Sequence, residues 1–483
     1  MRMEFVVEPD DAARLARSKL LVRLSTSRPR YRTVRLTWHD SPDGALRTDG
    51  LALEEQRGLW RLERLTPGNG AWLPTQSPPE LAQALLPTDL GHELPDTLAP
   101  VAVFEGRLAT TVLETADGPV TMGVLRGQAG IAPIARLTLT GGDRAVRERA
   151  CTLAGAFRVG VPRASLAAEA IALAHGETPP PQRLGASEPF GDTTISEAFA
   201  NVIGHFTDVV LHFAPLAAAG GPDTEPVHQM RVAVRRARSA IAAFKHGLAC
   251  PDILAADGDL KALGGVLGPA RDWDVFVTET LPRVTAVFPD DARLRRLAAA
   301  AQRLREACHT DLRTCLLAPS FRQLGIGLAW LCASPSWHAT LSPEEQMASA
   351  IPPEAFAAHV LQQRWKKVSA AGKSIERLDV PSLHELRLRA KRARYAMEIF
   401  QPNNHARQAQ RLIRRLGTLQ QHLGTLNDGA VAAGLLDTLG GPKGRHAYAA
   451  GLVLGFLAAS AGIERPRILR AWKKFRRTPR FWG

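Results

Sequence analysis

Two stretches of the chain share one pattern of basic and apolar residues. Val227 to Arg238 reads Val-His-Gln-Met-Arg-Val-Ala-Val-Arg-Arg-Ala-Arg, and Leu383 to Arg394 reads Leu-His-Glu-Leu-Arg-Leu-Arg-Ala-Lys-Arg-Ala-Arg. An α-helix turns about 100° per residue, which places the cations near each histidine on one stripe roughly 100° wide. The stripes hold His228, Arg231, Arg235, Arg238 and Lys245 in the first copy, and His384, Arg387, Lys391 and Arg394 in the second. Such rows of guanidinium and ammonium groups are suited to binding a polyanion, phosphate above all.

The far side of each basic helix is apolar. It carries Met230, Ala237, Ile241 and Phe244 in the first copy, and Leu386, Ala393, Met397 and Phe400 in the second. A helix of this kind packs into a core through one face and presents positive charge on the other. Arg236 and Arg392 occupy matching positions beside the stripes, and we predict that they belong to the same anion-binding set.

A second motif follows each basic helix at a constant distance. Leu267-Gly268-Pro269-Ala270-Arg271-Asp272 is matched by Leu423-Gly424-Thr425-Leu426-Asn427-Asp428. His384 lies 156 positions after His228, and Asp428 lies 156 positions after Asp272. A lone basic stripe is usually a solvated helix face. Two motifs in one register instead predict a duplicated helical bundle.

The acidic residues of these motifs call for a separate interpretation, because a carboxylate is not a phosphate ligand. We expect Asp272, Asp274, Asp428 and Glu398 to pair with an arginine or histidine of the basic helices. Arg271, Asn427 and Tyr395 are predicted to support the site. The two histidines have three possible roles: phosphate contact, a structural hydrogen bond or metal binding. The surrounding cations would repel a divalent metal, so we predict no metal and no other cofactor.

These residues resemble the two signatures of the CHAD family, the conserved-histidine α-helical domain. Ala471-Trp472-Lys473-Lys474-Phe475, followed by Phe481-Trp482, is similar to the usual family ending. The resemblance covers residues 192–483, with repeat one at about 192–335 and repeat two at about 350–483. It implies an all-α domain of two pseudo-symmetric helical bundles around a basic groove that binds inorganic polyphosphate, often at polyphosphate granules. The residues by themselves show only basic, duplicated helices.

The charge of the chain is unevenly distributed. The sequence has 483 residues and a net charge of +14, and up to Ala186 it has 22 Lys and Arg against 21 Asp and Glu. The anion partner therefore belongs to the C-terminal region. Polyphosphate and nucleic acid both suit arginine-rich surfaces. Because proteins that bind single strands place aromatic residues on the basic surface, and only Tyr395 lies near this one, we favour polyphosphate over nucleic acid. An interaction scaffold with no polyanion ligand is a further alternative.

The first part of the chain has a different pattern. Residues 32–37, 60–65, 101–112, 120–125 and 136–140 carry alternating or β-branched residues between Gly, Asp and Pro, which is typical of strands. Thr178-Pro179-Pro180-Pro181-Gln182 cannot continue a helix. We therefore predict a multi-domain protein: an α+β domain at 1–177, a Pro- and Gly-rich linker at 178–191, and the helical region from 192, with its first helix near Thr194.

The α+β domain resembles the CYTH family, the triphosphate-tunnel fold. The matching residues are His39-Asp40-Ser41-Pro42-Asp43, Leu46, Gly50 and Leu51-Ala52-Leu53, together with Leu137-Thr138-Leu139 before Gly142-Asp143. The resemblance implies an antiparallel β-barrel or tunnel. The catalytic residues do not match: Glu4 stands alone in place of Glu-x-Glu-x-Lys, and Glu54 and Glu55 replace an arginine pair. We predict that this domain is not an enzyme, and that no catalytic residue exists; a retuned triphosphate hydrolase is the alternative.

The cysteines and the apolar stretches of the sequence predict its redox state and its compartment. The five cysteines are odd in number and lack Cys-x-x-Cys spacing, which predicts reduced thiols and no zinc site. We find no run of eighteen apolar residues and no signal peptide, which predicts a cytoplasmic protein without a membrane partner. The oligomeric state cannot be read from the sequence.

Overall fold

The computed structural model describes residues 1–15, 18–65, 97–177, 183–187, 194–245, 247–248, 250–333, 336–350, 352–401 and 406–482. Its N-terminal part is built on an antiparallel β-sheet and its C-terminal part is helical, as the sequence predicts. Much of the predicted linker at 178–191 falls outside the described residues.

Eight strands form one sheet. They are β1 (Arg2–Val7), β2 (Arg30–Asp40), β3 (Leu51–Gln56), β4 (Leu59–Arg64), β5 (Ala99–Leu113), β6 (Val120–Ala129), β7 (Ala132–Gly141) and β8 (Val159–Gly160). Their order is β4-β3-β2-β5-β6-β7-β1-β8, and all neighbours are antiparallel. All five strands predicted from sequence are present; β1, β3 and β8 were not predicted. In the part of the chain that the structure describes, no pairing joins β4 to β8, so closure into a tunnel stays a prediction.

The chain contains sixteen α-helices in its described part. The sheet domain has α1 (Pro9–Leu15), α2 (Lys19–Leu24), α3 (Ala45–Thr48), α4 (Asp143–Ala156) and α5 (Leu166–His175). The helical region has α6 (Ile195–Ala219), α7 (Glu225–Phe244), α8 (Pro251–Val275), α9 (Leu281–Thr285), α10 (Ala292–Leu317), α11 (Pro319–Ala333), α12 (Pro343–Ser349), α13 (Pro353–Ala371), α14 (Val380–Ile399), α15 (Ala406–Thr438) and α16 (Ala447–Arg476). The first of these begins as predicted, because Thr194 and Glu197 form a capping box at the start of α6.

The helical region repeats. Helices α6, α7, α8 and α10 of the first half correspond in order to α13, α14, α15 and α16 of the second, and α7 shifted by 156 positions coincides with α14 to within a residue or two. Buried positions keep the same offset, for example Leu297 with Val453 and Leu312 with Ile468. The duplicated bundle predicted from the two motifs is therefore present.

The sheet domain and the helical region share a continuous apolar core. Helix α4 packs against α11, where Trp330 Nε1 donates a hydrogen bond to the Asp143 carbonyl oxygen at 3.1 Å. The guanidinium of Arg147 lies 4.4 Å from the Trp330 ring centre and bonds Asp252 at 2.5 Å. Cutting the chain at the predicted linker would expose this apolar surface, so solution experiments require the full chain.

Among the residues that the structure describes, two helices reach the length and apolarity of membrane-spanning helices, Ile195–Ala219 and Ala447–Arg476. In the first, 61% of the apolar window is buried in the protein, against 29% in the second.

The five cysteines are free thiols, as predicted. Burial raises the pKa of Cys332 to about 12, which keeps that thiol protonated.

Gly372 at the end of α13 gives a prediction for the C-terminal motif. A Cβ built at this glycine would lie 2.3 Å from two ring atoms of Trp472. Because the indole is held in a packed core, we expect Gly372→Ala to lower the free energy of unfolding by about 1–3 kcal/mol. Gly429→Ala is the matched control, since a Cβ there meets nothing within 4 Å inside α15, and we expect a gain of up to about 1 kcal/mol. Thermal unfolding of both variants checks this; equal midpoints would contradict the packing.

Candidate anion-binding site

The two basic helices α7 and α14 lie side by side where the two repeats meet. Their side chains are joined by a hydrogen bond and by an ion pair. Arg235 donates a hydrogen bond to the hydroxyl of Tyr395 at 2.6 Å, and Arg236 forms an ion pair with Glu398 at 3.0 Å. The apolar faces of both helices are buried as predicted, including Met230, Phe244, Leu386 and Met397. Packing on one side therefore turns both basic stripes toward a common region.

The cations of the two stripes converge there. We call this region the central groove and define it by Arg231, Arg235, Arg387, Lys391 and Arg394. The pKa of Lys391 is lowered to about 7, first by burial and then by repulsion from Arg235, Arg387, Arg231 and Arg394. Burial, then the charges of Arg235 and Arg231, also lowers the pKa of Arg387. The stripes predicted from sequence are thus brought together across the repeat boundary.

Tyr395 lies at the centre of this cluster. The guanidinium carbons of Arg235, Arg236 and Arg394 lie 5.9, 5.5 and 5.5 Å from the centre of its ring. These distances are within the range of cation–π attraction, which offsets part of the repulsion among the arginines. The side chain is buried, with 3% of its surface exposed. Tyr395 therefore supports the arginines but offers no open aromatic face.

Three carboxylates partly balance the groove, as predicted. Asp272 lies 3.3 Å from Arg231, and Glu398 lies 3.3 Å from Arg394 as well as bonding Arg236. Burial raises the pKa of Asp428, and the positive charge of Arg387 opposes that rise. Asp428 and Arg387 are thus the counterparts in repeat two of Asp272 and Arg231. Burial likewise raises the pKa of Asp272 against the attraction of Arg231.

The glycine of the first Leu-Gly pair has a steric reason. A Cβ on Gly268 would lie 2.9 Å from a terminal nitrogen of Arg231, and one on Gly424 would lie 3.9 Å from Nε of Arg387. Gly268 and Gly424 are 156 positions apart, as are the two arginines. Gly268 thus lets the Arg231 guanidinium approach α8 closely, whereas a Cβ at Gly424 would make only an ordinary van der Waals contact with Arg387.

Positive charge remains in excess. Among the described residues, Arg235 and Lys391 have no acidic partner. Nε of Arg387 is buried without a hydrogen-bond partner. A buried donor left unpaired costs free energy, so an anion that entered the groove would be bound favourably.

His228 and Arg271 lie at one edge of the groove. Burial, then the charge of Arg271, lowers the pKa of His228, so its imidazole is neutral near pH 7. Arg271 bonds Glu279 at 3.1 Å and donates to the hydroxyl of Thr224 at 3.2 Å. Arg271 therefore anchors the start of α7, in keeping with the supporting role predicted for it.

Other predicted residues lie away from the groove. Arg238 bonds Asp257 through Nε at 2.8 Å, and Asp257 belongs to neither of the repeated motifs. Lys245 caps the end of α7 and is exposed. Arg392 is exposed and lowers the pKa of Arg364 on α13, which places it on another side of α14. His384 is exposed, and the side chain of Asn427 is outside the described part of the structure.

The prediction for Asp274 was wrong in its partners. This carboxylate is fully buried and accepts bonds from Arg305 Nε at 2.7 Å and His309 Nε2 at 2.8 Å, both on α10. Although burial raises its pKa, the hydrogen bonds from His309 and Arg305 outweigh burial and lower it. Asp274 thus ties α8 to α10 and not to a basic helix. Sequence reasoning could not find Arg305 and His309, because they belong to neither repeated motif.

The interior of the sheet domain has paired charges. Arg136 is 4% exposed, lies 3.1 Å from Glu4 and also bonds Glu169 on α5. Burial raises the pKa of Glu4 and of Glu54, and a cross-strand arginine, Arg61, faces Glu54. Asp40 accepts hydrogen bonds from the backbone of Ser41, Leu46 and Arg47, which makes it a loop anchor. No group of three or more metal-ligating residues is found among the described residues.

A comparison of the sequence with family models decides the family. The CHAD domain model matches residues 201–437, the stretch that contains both basic helices and both Leu-Gly motifs. The chain carries a CHAD domain. The sheet domain has no matching family model, so its CYTH-like character stays a prediction.

One solved structure agrees with this assignment. The crystal structure of the CHAD domain from the plant Ricinus communis is 29% identical, covers 62% of this chain and 98% of its own, and superposes with a TM-score of 0.52. PptA from Streptomyces chartreusis is 16% identical, covers 58% of this chain and 100% of its own, and has a TM-score of 0.46. No curated protein matches the chain. The paired basic helices of the central groove thus lie inside the CHAD domain.

Proposed function

We propose that this protein binds inorganic polyphosphate in the central groove of its CHAD domain. The observation that carries the proposal is the convergence of cations from both repeats around Lys391, whose pKa is brought to about 7 by burial and then by their repulsion. A chain of phosphates carries repeated charge and acceptor oxygens, which suits a groove in which Arg235 and Lys391 have no acidic partner among the described residues. The resemblance to the CHAD family supports the same ligand.

Polyphosphate fits this groove better than nucleic acid does. Binding of single strands relies on aromatic side chains that stack on the bases. Tyr395, the aromatic residue at the groove, is 3% exposed, and its ring is surrounded by arginines. Phosphates need no such platform. We therefore expect that the groove recognises closely spaced phosphate groups and not nucleobases. We also expect that the protein is cytoplasmic and associates with polyphosphate granules.

We propose further that the protein is not an enzyme. A triphosphate tunnel needs acids that hold a divalent cation and unpaired cations that neutralise phosphate. Arg136, which faces the interior, is instead engaged by Glu4 and Glu169. We expect the full chain to release no phosphate from tripolyphosphate with Mg²⁺ or Mn²⁺, measured by a phosphate-release assay. Robust turnover that Glu4→Gln abolishes would overturn this and favour the retuned hydrolase.

Competition between polyanions tests the ligand. The full chain is titrated with polyphosphate, and with RNA and single-stranded DNA of equal total charge, at one ionic strength near 0.15 M, because affinities for polyanions depend on salt. We expect polyphosphate to bind at least about tenfold more tightly than either nucleic acid. Equal affinities would identify a nonspecific basic surface, and tighter RNA binding would favour the nucleic-acid alternative.

A further inference from the structure

A second basic cavity lies between α15 and α16, on the outside of repeat two. It has a volume of about 380 Å³, and its lining includes Arg415, Thr418, His422, Arg467, Arg470 and Lys474. Five of these six side chains are basic or can become so. The two motifs that mark the repeat contain none of them.

This cavity is separate from the central groove. On α15, Gly417 and Gly424 face the arginines of α14, since Cβ atoms there would lie 3.5 Å from Arg394 and 3.9 Å from Arg387. At about 100° per residue, Arg415 and His422 lie more than roughly 100° around the same helix from those glycines. An anion in the outer cavity therefore contacts a different side of α15.

A buried carboxylate organises the cavity. Glu464 is 7% exposed, and its two oxygens accept bonds from Nδ1 of His422 and from Arg467, each at 2.7 Å. Burial raises the pKa of Glu464, but these two hydrogen bonds outweigh burial and lower it, so the carboxylate is charged and fixes both partners. Because Nδ1 of His422 is engaged, Nε2 is the ring nitrogen that remains for a ligand.

The other cations of the cavity are not balanced. Among the described residues, Arg415, Arg470 and Lys474 have no acidic partner. Arg470 and Lys474 are exposed on α16 one turn apart, and Arg415 faces them from α15. Three unpaired cations around one cavity repel one another, and an anion removes that repulsion.

The cations are peculiar to the second repeat. At the positions 156 residues earlier, Arg415 is replaced by Asp259, Arg467 by Asp311 and Glu464 by Cys308. Buried positions of the same helices keep their apolar character, as Leu312 and Ile468 do. The bundle thus folds with acids at these places in one copy. Helix packing therefore does not require the basic residues of repeat two. Binding of a ligand would explain why they are present.

We propose that this outer cavity is a second phosphate-binding site, which takes one or more phosphate groups of a short polyanion. Guanidinium groups bind phosphate oxygens through paired hydrogen bonds, and Arg415, Arg467 and Arg470 line the cavity. The proposal stands on the cavity itself and does not depend on polyphosphate binding in the central groove.

Calorimetric titration of the full chain with tripolyphosphate tests the site. To separate the two sites, the background variant carries Arg235→Gln and Lys391→Gln in the central groove. Adding Arg470→Gln and Lys474→Gln is expected to weaken the remaining binding about tenfold or more, because two charged contacts are lost. The matched control adds Lys366→Gln and Lys473→Gln, two exposed lysines outside the cavity lining, and is expected to leave the affinity within about twofold.

The result that overturns the proposal is equal affinity in the cavity and control variants, or no tripolyphosphate binding once the groove is disabled. Thermal unfolding checks that each variant folds. Should the double cavity variant unfold, Arg415→Gln alone provides the same test from the other helix, with about a threefold loss expected. Long-chain binding that survives the groove substitutions would contradict the proposed function but not this site, so the two proposals can fail separately.

Discussion

Replacing Arg235 and Lys391 with glutamine is expected to weaken polyphosphate binding about 100-fold at 0.15 M salt. These two residues occupy equivalent positions in the two repeats and have no acidic partner among the described residues. Each charged contact that is lost removes roughly 1.5 kcal/mol or more. Because Arg235 and Lys391 interact, the double variant measures their joint contribution and not a sum of independent terms. The salt dependence of binding should also flatten, by roughly 0.9 in log–log slope per contact if a duplex-like counterion density applies.

The matched control for this variant is Lys245→Gln with Arg392→Gln. It removes the same charge from the same two helices, but both side chains are exposed and lie outside the groove. We expect its affinity to stay within about threefold of the native value. Both proteins should unfold at nearly the native temperature, because the apolar faces of α7 and α14 are untouched. Equal losses in the two variants would show that only net charge matters and that no groove exists.

Affinity for polyphosphate is expected to fall as the pH rises from about 7 to 9. The free protein holds the pKa of Lys391 at about 7, because burial and four arginines disfavour its charge. A bound phosphate favours the charged form and raises that pKa, so binding takes up a proton above pH 7. The loss then approaches tenfold per pH unit until the pKa of the bound state is reached. Below about pH 6 the lysine is already charged, and its contribution no longer changes.

Lys391→Arg provides the control for the pH dependence. An arginine keeps its charge throughout this range, so the affinity of the variant should change little between pH 7 and 9. Calorimetry in two buffers of different ionisation enthalpy measures the proton uptake directly. An identical pH profile in the native protein and in the variant would contradict the role of Lys391.

Lys391 also bears on stability. Its pKa in the folded protein lies below that in the unfolded chain, so the unfolded state holds more protons between pH 7 and about 10. Stability contributed by this group therefore rises with pH across that window and is lowest below pH 7. We expect Lys391→Met to raise the free energy of unfolding at pH 7 by roughly 1–2 kcal/mol while it weakens polyphosphate binding. If Lys391→Met were less stable than the native protein at pH 7, repulsion of Lys391 by its arginine neighbours would be contradicted.

Much of the site could be predicted from the sequence, because both motifs recur at the same offset of 156 positions. The buried faces of α7 and α14, the pairing of Asp272 with Arg231, and the ion pairs of Glu398 all follow from helical spacing. Spacing cannot show how two helices rotate against each other, however. It therefore gave equal weight to Lys391, which enters the groove, and to Arg392, which faces α13.

The features that sequence reasoning missed depend on contacts between distant segments. Asp274 belongs to the Leu-Gly motif but bonds Arg305 and His309, which have no pattern of their own. Histidine is the side chain that ordinarily titrates near neutral pH. Burial lowers the pKa of His228, however, and burial with repulsion brings the pKa of Lys391 to about 7. Desolvation and mutual repulsion arise only when the helices pack together. The spacing of cations along one helix therefore cannot predict these pKa shifts.

A structure of the full chain with a polyphosphate of defined length tests the central claim most directly. We expect phosphates between α7 and α14, in contact with Arg235, with Lys391 and with the guanidinium group of the half-buried Arg387. Phosphates on the sheet domain or on the exposed basic residues of α16, with the central groove empty, would contradict the account.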